Sequence, residues 1–436
     1  MAQTNLVLFY CGLRSGHFGQ GAFVNSLLPY FKTKANTSIT LIKTDCDGIS
    51  AVFSYVEEGM NILAIPHLPN IPMLTGENHP VQKAYAQQII GIIYPFLKDK
   101  PNLLFWVNSI DYLNVSYELK QVFTECKLMY VHHSFSWKYF INVPDRTFIQ
   151  EWQTGNDGFH PKAFEMTRYQ QEIALLSDIT ITVTNHARNF FIEVLHIPAS
   201  KVVTIYNGMP VPTNKNESKQ VLRKKYGFAR NDKIVLFSGR VTKDKGIPDL
   251  LRAFSLLAGR MEKLKLVVMG AGHFSEFISM VNPHWSKIIY TGELPPEQVR
   301  DFYRLADIGV IPSLHEQCSF TAIEMRLHQL PLIVSGVDGL DELFTHEYDT
   351  LKLTIALHKN GMKYLDEKEF ADHMERLITD KKLAKLLRRN SYNLGIKLYN
   401  RQRMWQKYDQ ALTTVLEKDK DMLVVSAGDC DLALNN

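Results

Sequence analysis

The chain alternates between short apolar runs and longer amphipathic segments over most of its length. The apolar runs, rich in β-branched and aromatic residues, occupy residues 6–11, 38–43, 61–65, 103–107, 127–131, 179–183 and 201–205, then 233–238, 265–269, 288–290, 308–311 and 332–334. Between them lie stretches with apolar residues at helical spacing, such as residues 22–31. This alternation predicts an α/β fold in which parallel sheets are covered by helices on both faces.

A polar stretch bounded by proline, residues 210–217, separates the two series of runs and is typical of a linker. A chain of 436 residues is expected to form two domains, each with its own core. We predict a first domain over residues 1–210 and a second over 211–395. A C-terminal helix over 396–418 would cross back to the first domain, and the tail, 419–436, has no clear packing partner. Ligands of such sheets bind outside the carboxyl ends of the strands, so the shared cleft is the expected site.

Composition and charge exclude several classes of protein. The chain is 45% hydrophobic and 22% charged, with a net charge of +4, so its electrostatics do not require a nucleic acid. A mild basic excess suits a phosphorylated substrate or an anionic lipid surface. No apolar run has the length of a membrane span, the start lacks signal-peptide features, and five scattered cysteines support neither disulfides nor a metal site. We expect a cytoplasmic protein, with contact to the inner face of a membrane left open.

A cationic loop follows the strand at residues 233–238. It contains Gly239, Arg240 and Lys245, and its glycine spacing differs from that of the phosphate-cradling GxxxxGK[ST] loop. A guanidinium and an ammonium group together can neutralise a departing diphosphate without a metal ion. By itself, the segment is equally consistent with a solvated charged turn.

Two glutamates lie where another strand gives way to a helix. The strand at residues 308–311 enters a Pro-Ser turn, Glu316 lies in the following loop, and Glu324 lies one or two turns into the next helix. The amino end of a helix attracts anions through its unpaired N–H groups and its dipole. Carboxylates beside an anion site are suited to hold hydroxyl groups, and a sugar nucleotide offers both. The alternative interpretation is a helix cap and a solvent-facing glutamate.

Two further candidates lie in the first domain. A glycine-rich loop over residues 12–22, which includes Gly21, follows the first strand and opens a helix, so its backbone could approach a phosphate; a flexible surface loop explains it nearly as well. His132 and His133 end another strand, where a histidine could bind a sugar hydroxyl or act as acid or base. Adjacent strand residues point to opposite sides, so at most one of them is expected to face the substrate.

Taken in order, these motifs resemble the family 4 glycosyltransferases of the GT-B fold. The resemblance covers most of the chain and is closest over residues 177–343. Its motifs here are residues 177–184 and 201–208, Gly239-Arg240 with Lys245-Gly246 as the donor diphosphate loop, Glu316 and Glu324 as the E-x7-E signature, and Pro331 with residues 339–342. The implied protein is a retaining, metal-independent hexosyltransferase with two Rossmann-like domains facing across a cleft. It would use a nucleotide-diphosphate sugar as co-substrate and no other cofactor.

The resemblance also implies roles for individual residues. Arg240 and Lys245 would bind the diphosphate, Glu324 the ribose hydroxyls and Glu316 the hydroxyls of the donor sugar. Gly21 would approach the diphosphate from the first domain, and His132 matches the active-site histidine of the family. The implied donor-binding residues are Gly21, Gly239, Arg240, Lys245, Glu316, Ser319, Phe320, Thr321 and Glu324, and the implied catalytic residues are His132, Glu316, Arg240 and Lys245.

Three positions depart from the family pattern. Ser319 stands where the family has glycine, with Cys318 before it, and Gln329 replaces a glycine common before the strand at Pro331. We expect the serine to alter the loop around the sugar and Cys318 to be a packed thiol. The sequence Glu-Gln-Cys-Ser, together with residues 339–342, is similar to a bacterial subgroup associated with radical-SAM peptide-maturation systems.

The sequence leaves more than one acceptor and more than one function open. The similarity to that subgroup favours a peptide acceptor, with a glycan or a lipid-linked sugar left open. The alternative functions are a sugar-nucleotide epimerase of the same fold and a degenerate member that acts as a scaffold. A nucleic-acid partner is not expected.

Overall fold

The structure, a computed structural model, describes residues 3–11, 19–67, 80–155, 160–213 and 217–417. The predicted tail lies outside these residues, as do most of the glycine-rich loop and the centre of the predicted linker. The described part of the chain forms two α/β units, one before and one after the linker.

The first unit is built on an eight-stranded sheet in the order β3-β4-β2-β1-β5-β6-β7-β8. Its strands are β1 Thr4–Cys11, β2 Thr37–Cys46, β3 Phe53–Glu57, β4 Met60–Pro66, β5 Leu103–Val107, β6 Lys127–His132, β7 Ile179–Thr182 and β8 Val202–Thr204. All neighbours are parallel except β3, which pairs antiparallel with β4 at the edge. Every residue of β3 is exposed, so the hydrophobic pattern gave no signal for this strand.

Both faces of this sheet are buried, as the nearly continuous apolar runs predicted. In β1, Val7 and Phe9 belong to one core cluster, while Leu6 and Leu8 belong to the cluster on the opposite face. The covering helices are α1 Gly19–Phe31, α2 Pro80–Leu97, α3 Leu113–Val122, α4 Asp145–Thr154, α5 Pro161–Leu176 and α6 Asn185–Asn189. Such packing leaves the carboxyl edge of the sheet as the place for a ligand.

The second unit has a six-stranded parallel sheet in the order β11-β10-β9-β12-β13-β14. Its strands are β9 Lys233–Ser238, β10 Leu264–Met269, β11 Ile288–Gly292, β12 Ile308–Ile311, β13 Leu332–Ser335 and β14 Leu351–Leu353, followed by the hairpin β15 Ile355–Leu357 and β16 Lys363–Leu365. Its helices are α7 Lys219–Lys225, α8 Ile247–Ala258, α9 Pro296–Leu305, α10 Phe320–Leu327, α11 Asp338–Leu343, α12 Glu367–Thr379 and α13 Lys381–Leu398. Core clusters again cover both faces of the sheet, so the predicted α/β class with parallel sheets in two domains is confirmed.

The last described helix, α14 Arg401–Glu417, packs on the first unit. Tyr408 stacks on Trp106 of β5 with ring centroids 5.3 Å apart, and the Trp405 indole donates a hydrogen bond to the carbonyl of Ser26 in α1. The chain therefore returns to its first domain after completing the second. Within the described ranges, no helix combines the length and apolarity needed to cross a bilayer.

Candidate active site

Two loops at the carboxyl ends of neighbouring strands form the centre of the candidate site. One follows β9 and the other follows β12, and the two loops touch through their backbones. The N–H of Leu314 donates a hydrogen bond of 2.8 Å to the carbonyl of Asp244. Gly246 has a φ of +69°, and a Cβ atom at this position would lie 1.9 Å from the carbonyl oxygen of Pro312. A glycine is therefore required here by both backbone conformation and space.

The basic groups of the first loop meet acidic groups from both loops. The Lys245 ammonium lies 2.6 Å from the Glu316 carboxylate, and both side chains are largely buried. Burial would lower the pKa of Lys245, but Glu316 raises it above the ordinary value, so the lysine stays charged. Arg240 follows Gly239 and lies 3.3 Å from Asp244. Burial would raise the pKa of Asp244, yet the neighbouring Thr242 and the cations Lys245 and Arg240 hold it below its usual range.

Glu324 lies on α10 and is linked through Tyr303 to the carboxyl end of β9. Its carboxylate accepts a hydrogen bond of 3.0 Å from the hydroxyl of Tyr303, and that hydroxyl is 3.5 Å from the Ser238 hydroxyl at the end of β9. Burial raises the pKa of Glu324 to about 7, against the opposing effects of Tyr303 and Arg300. This carboxyl group is therefore ready to ionise when hydroxyl donors or a cation approach it.

The amino end of α10 lies between the two glutamates. Ser319 caps this helix through a hydrogen bond from the N–H of Ala322 to its side chain, and the helix begins with Phe320 and Thr321. Ser319 has a φ of −63°, which any L-residue adopts freely, so serine stands at this position without backbone strain. Cys318 is buried, and burial raises its pKa well above the ordinary value, in agreement with a packed and unreactive thiol.

Gln329, the other departure from the family pattern, has the opposite character. Its φ is +58°, in the left-handed region that favours glycine, and its side chain is exposed. Glycine would adopt this backbone conformation freely. Glutamine adopts it only with strain.

The active-site role that the resemblance implies for His132 stays a prediction, and its ring is fully buried in this structure. Its side chain has no exposed surface and packs between Phe135 and Phe191, with ring centroids 4.8 and 4.7 Å away. Burial lowers its pKa well below the ordinary value, so the ring is neutral. The alternation of side chains along β6 leaves the half-buried His133 on the other side, where its ring lies 3.4 Å from the Asn108 side chain.

Gly21 lies in the first turn of α1, directly after the part of the glycine-rich loop that is outside the described residues. Because α1 follows the central strand β1, Gly21 belongs to the carboxyl edge of the first sheet.

Contacts across the cleft join the loops of the second domain to the first domain. The Thr184 hydroxyl donates to the Gln317 side chain at 2.7 Å. The Glu342 carboxylate accepts hydrogen bonds of 2.9 and 2.8 Å from the N–H groups of Asn185 and His186, at the amino end of α6. The second domain therefore supplies the acidic cap of a helix in the first.

Several residues that hold the site together were not identified from the sequence. Asp244 lies between Arg240 and Lys245 in the cationic loop, so its position in the sequence could have marked it as a site residue. Tyr303, His315 and Asp338 gave none, because each reaches the site through tertiary packing. The His315 ring lies 3.6 Å from Asp244, and its pKa is lowered to about 4 by burial and then by Lys245, which makes it a neutral neighbour of the ion pair.

Residues 218–394 match the family described as "Glycosyl transferases group 1". This match runs from α7 into α13 and so covers nearly the whole second domain. An uncharacterized glycosyltransferase of Methanocaldococcus jannaschii is 32% identical over 38% of this chain and 44% of its own length. A lipopolysaccharide 1,2-N-acetylglucosaminetransferase of Salmonella typhimurium is 29% identical over 38% of this chain and 46% of its own length. The matches thus span less than half of these relatives.

The similarity to solved structures covers nearly the whole chain. Sucrose-phosphate synthase from Thermosynechococcus elongatus has a TM-score of 0.75 at 15% identity and covers 95% of this chain and 100% of its own. Anabaena HepE in complex with UDP-glucose has a TM-score of 0.66 at 14% identity and covers 94% of this chain and 100% of its own. The fold of the chain is GT-B, as the resemblance implied.

Proposed function

We propose that this protein is a retaining glycosyltransferase that moves a hexose-type unit from a nucleotide-diphosphate sugar to an acceptor hydroxyl. The observation that carries the proposal is the contact of 2.6 Å between Lys245 and Glu316. It joins the cationic loop after β9 to the acidic loop after β12, at the edge where ligands of such sheets bind. The group 1 family match covers both loops, which supports the same activity.

Each charged group has a role in this proposal. Arg240, whose side chain is 39% exposed, and Lys245 bind the diphosphate, and the backbone N–H groups at Ser319, Phe320 and Thr321 add donors at the amino end of α10. Glu316 accepts hydrogen bonds from hydroxyls of the donor sugar. Glu324, ionised by these contacts, holds the ribose hydroxyls. HepE was solved in complex with UDP-glucose, which supports a nucleotide sugar as the donor class.

The transfer step needs no covalent intermediate. The acceptor oxygen forms a bond to the anomeric carbon on the face from which the diphosphate leaves. The bond from that carbon to the diphosphate oxygen breaks, and its electron pair goes to the diphosphate. The acceptor proton also passes to this leaving group. Arg240 and Lys245 stabilise the negative charge that develops there, which is an electrostatic contribution to catalysis.

The acceptor class rests on weaker evidence than the donor class. The similarity of Glu-Gln-Cys-Ser to a subgroup found with peptide-maturation systems favours a peptide. The Salmonella relative acts on lipopolysaccharide by its name, which keeps glycan and lipid-linked acceptors as outcomes of an acceptor screen.

Turnover of nucleotide sugars without an acceptor tests the proposal. We expect slow hydrolysis of one donor, found by screening UDP-, GDP- and ADP-sugars for thermal stabilisation, and unchanged by chelator. Lys245→Ala and Glu316→Ala should each lower this turnover on the order of a hundredfold or more. Lys243→Ala is the matched control, since Lys243 is an exposed lysine of the same turn. Retained turnover in both site variants contradicts the proposal, and epimerised donor without transfer favours the epimerase alternative.

A further inference from the structure

A lysine of the first domain is buried between carboxylates of both domains. Lys138 follows β6, and its side chain is only 2% exposed. Its ammonium lies 2.5 Å from Asp145 in the same domain and 2.6 Å from Asp338, the first residue of α11 in the second domain. Asp145 pairs this buried charge within the first domain, and Asp338 adds a second carboxylate only when the two domains are in contact.

Asp338 connects this ion pair to the candidate donor site. One of its oxygens contacts Lys138, while the other accepts a hydrogen bond of 3.2 Å from the N–H of Glu316. The next residue, Gly339, donates its N–H to the Glu316 carbonyl at 3.0 Å. Both backbone groups of Glu316 are thus held by the turn that contacts the first domain.

The backbone at Asp338 indicates that its side chain is required. Its φ is +45°, a left-handed conformation that costs a residue with a Cβ atom about 1 kcal/mol or more. Glycine would adopt this conformation without strain. The aspartate offsets that cost through its contacts with Lys138 and Glu316.

We propose that Lys138 and Asp338 form an interdomain latch that positions Glu316 for the donor sugar when the cleft closes. This inference rests on the proposed function of Glu316. Neither residue touches the reacting atoms, so both are positioning residues. Opening the cleft separates the pair and leaves Asp338, which holds the N–H of Glu316, without its cation, while closing the cleft restores the contact.

A metal ion is the competing occupant of this cluster. Ligand atoms of Asp145, His186 and Asp338 lie within 4.8 Å of one another. The Lys138 ammonium already contacts the two aspartates of this set, and a divalent cation at the same place would be strongly repelled. The ammonium group of Lys138 thus occupies the place between the two aspartates where a metal ion would bind.

The latch is tested with Lys138→Met, Asp338→Asn and the double variant. Asparagine tolerates a left-handed backbone and keeps an acceptor for the Glu316 N–H, so Asp338→Asn removes only the charge. We expect small-angle X-ray scattering to show a larger radius of gyration for each ligand-free variant than for the native protein. For UDP-glucose hydrolysis, KM should rise about tenfold with little change in kcat, because saturating donor still closes the cleft.

Two comparisons separate positioning from simple destabilisation. Asp338→Gly relieves backbone strain but also removes the acceptor for Glu316, so it should lower kcat in addition to raising KM. Lys120→Met is the control, because Lys120 pairs with Asp178 at 2.5 Å inside the first domain. This control should change stability without changing KM or the radius of gyration. Thermal unfolding of each variant verifies that it is folded.

The outcomes distinguish the latch from the proposed function. In the double variant, KM should rise no more than in either single variant, whereas additive effects overturn the coupling. A radius of gyration equal to that of the native protein in both single variants overturns the latch even if UDP-glucose is not a substrate. Failure of the native protein to turn over any nucleotide sugar contradicts the proposed function and leaves the scattering test valid.

Discussion

Replacing Glu324 by glutamine should remove a loss of stability that the native protein suffers as the pH rises. Burial raises the pKa of this carboxyl group from 4.5 to about 7 in the folded state. Between these values the folded state holds a proton that the unfolded state has released. The free energy of unfolding therefore falls as the pH rises from 4.5 towards 7.

The size of the effect follows from the same two values. The difference between 4.5 and about 7 corresponds to about 3 kcal/mol at about 1.4 kcal/mol per pH unit. Glutamine carries no charge at any pH and can still accept the Tyr303 hydrogen bond. Glu324→Gln should therefore match the native protein near pH 4.5 and exceed it by about 3 kcal/mol at pH 8.

Urea unfolding at a series of pH values measures the effect. Other groups titrate in the same range, so the informative quantity is the difference between variant and native protein at each pH. Glu293→Gln, at an exposed glutamate of the same domain, is the matched control and should show no such rise. A difference between Glu324→Gln and the native protein that stays constant from pH 4.5 to pH 8 refutes the reasoning.

The same substitution should have the opposite effect on donor binding. An amide offers one acceptor oxygen and no charge to the ribose hydroxyls, so Glu324→Gln should bind the nucleotide sugar more weakly. In the native protein, donor affinity should increase as the pH rises through about 7, because binding favours the ionised carboxylate. Calorimetry at pH 6 and pH 8 checks this, and equal affinities at both would contradict the assigned role.

Three further substitutions test the structure by chemical unfolding. Gln329→Gly should stabilise the protein by about 1 kcal/mol, because φ is +58° at this exposed position, and a loss of stability would contradict the strain. Gly246→Ala should destabilise by at least about 2 kcal/mol, since its Cβ atom would lie 1.9 Å from the Pro312 carbonyl, and a neutral result would contradict the close approach. Arg326→Met should cost about 3–5 kcal/mol, because it leaves Asp349, fully buried and 2.7 Å away, without its partner; adding Asp349→Leu should recover part of this, and an additive loss would argue against the pair.

Most strands of the parallel sheets could be predicted from the sequence, because strands buried on both faces form continuous apolar runs. Residues 234–237 show this pattern, with alternate side chains in opposite core clusters. Edge elements lack it. The exposed strand β3 and the short hairpin of β15 and β16 carry no strong hydrophobic pattern, so they emerged only from the structure.

The candidate site divides in a similar way. Arg240, Lys245 and Glu316 lie on loops next to strong strand signals, and their order along the chain was sufficient to suggest that they meet. The side that each histidine of the 132–133 pair faces could not be predicted, because alternation gives the parity of a strand but not its orientation. Lys138 and Asp338 are separated by 200 positions, and their contact depends on how the two domains approach.

The return of α14 to the first sheet has a consequence for synthesis on the ribosome. Met404, Tyr408 and Leu412 complete the same core cluster as Leu6 and Trp106, although they are made after the second domain. The first domain therefore keeps an uncovered apolar face while the whole second domain is translated and folds. During that interval the nascent chain should be a client for chaperones that bind exposed apolar surface.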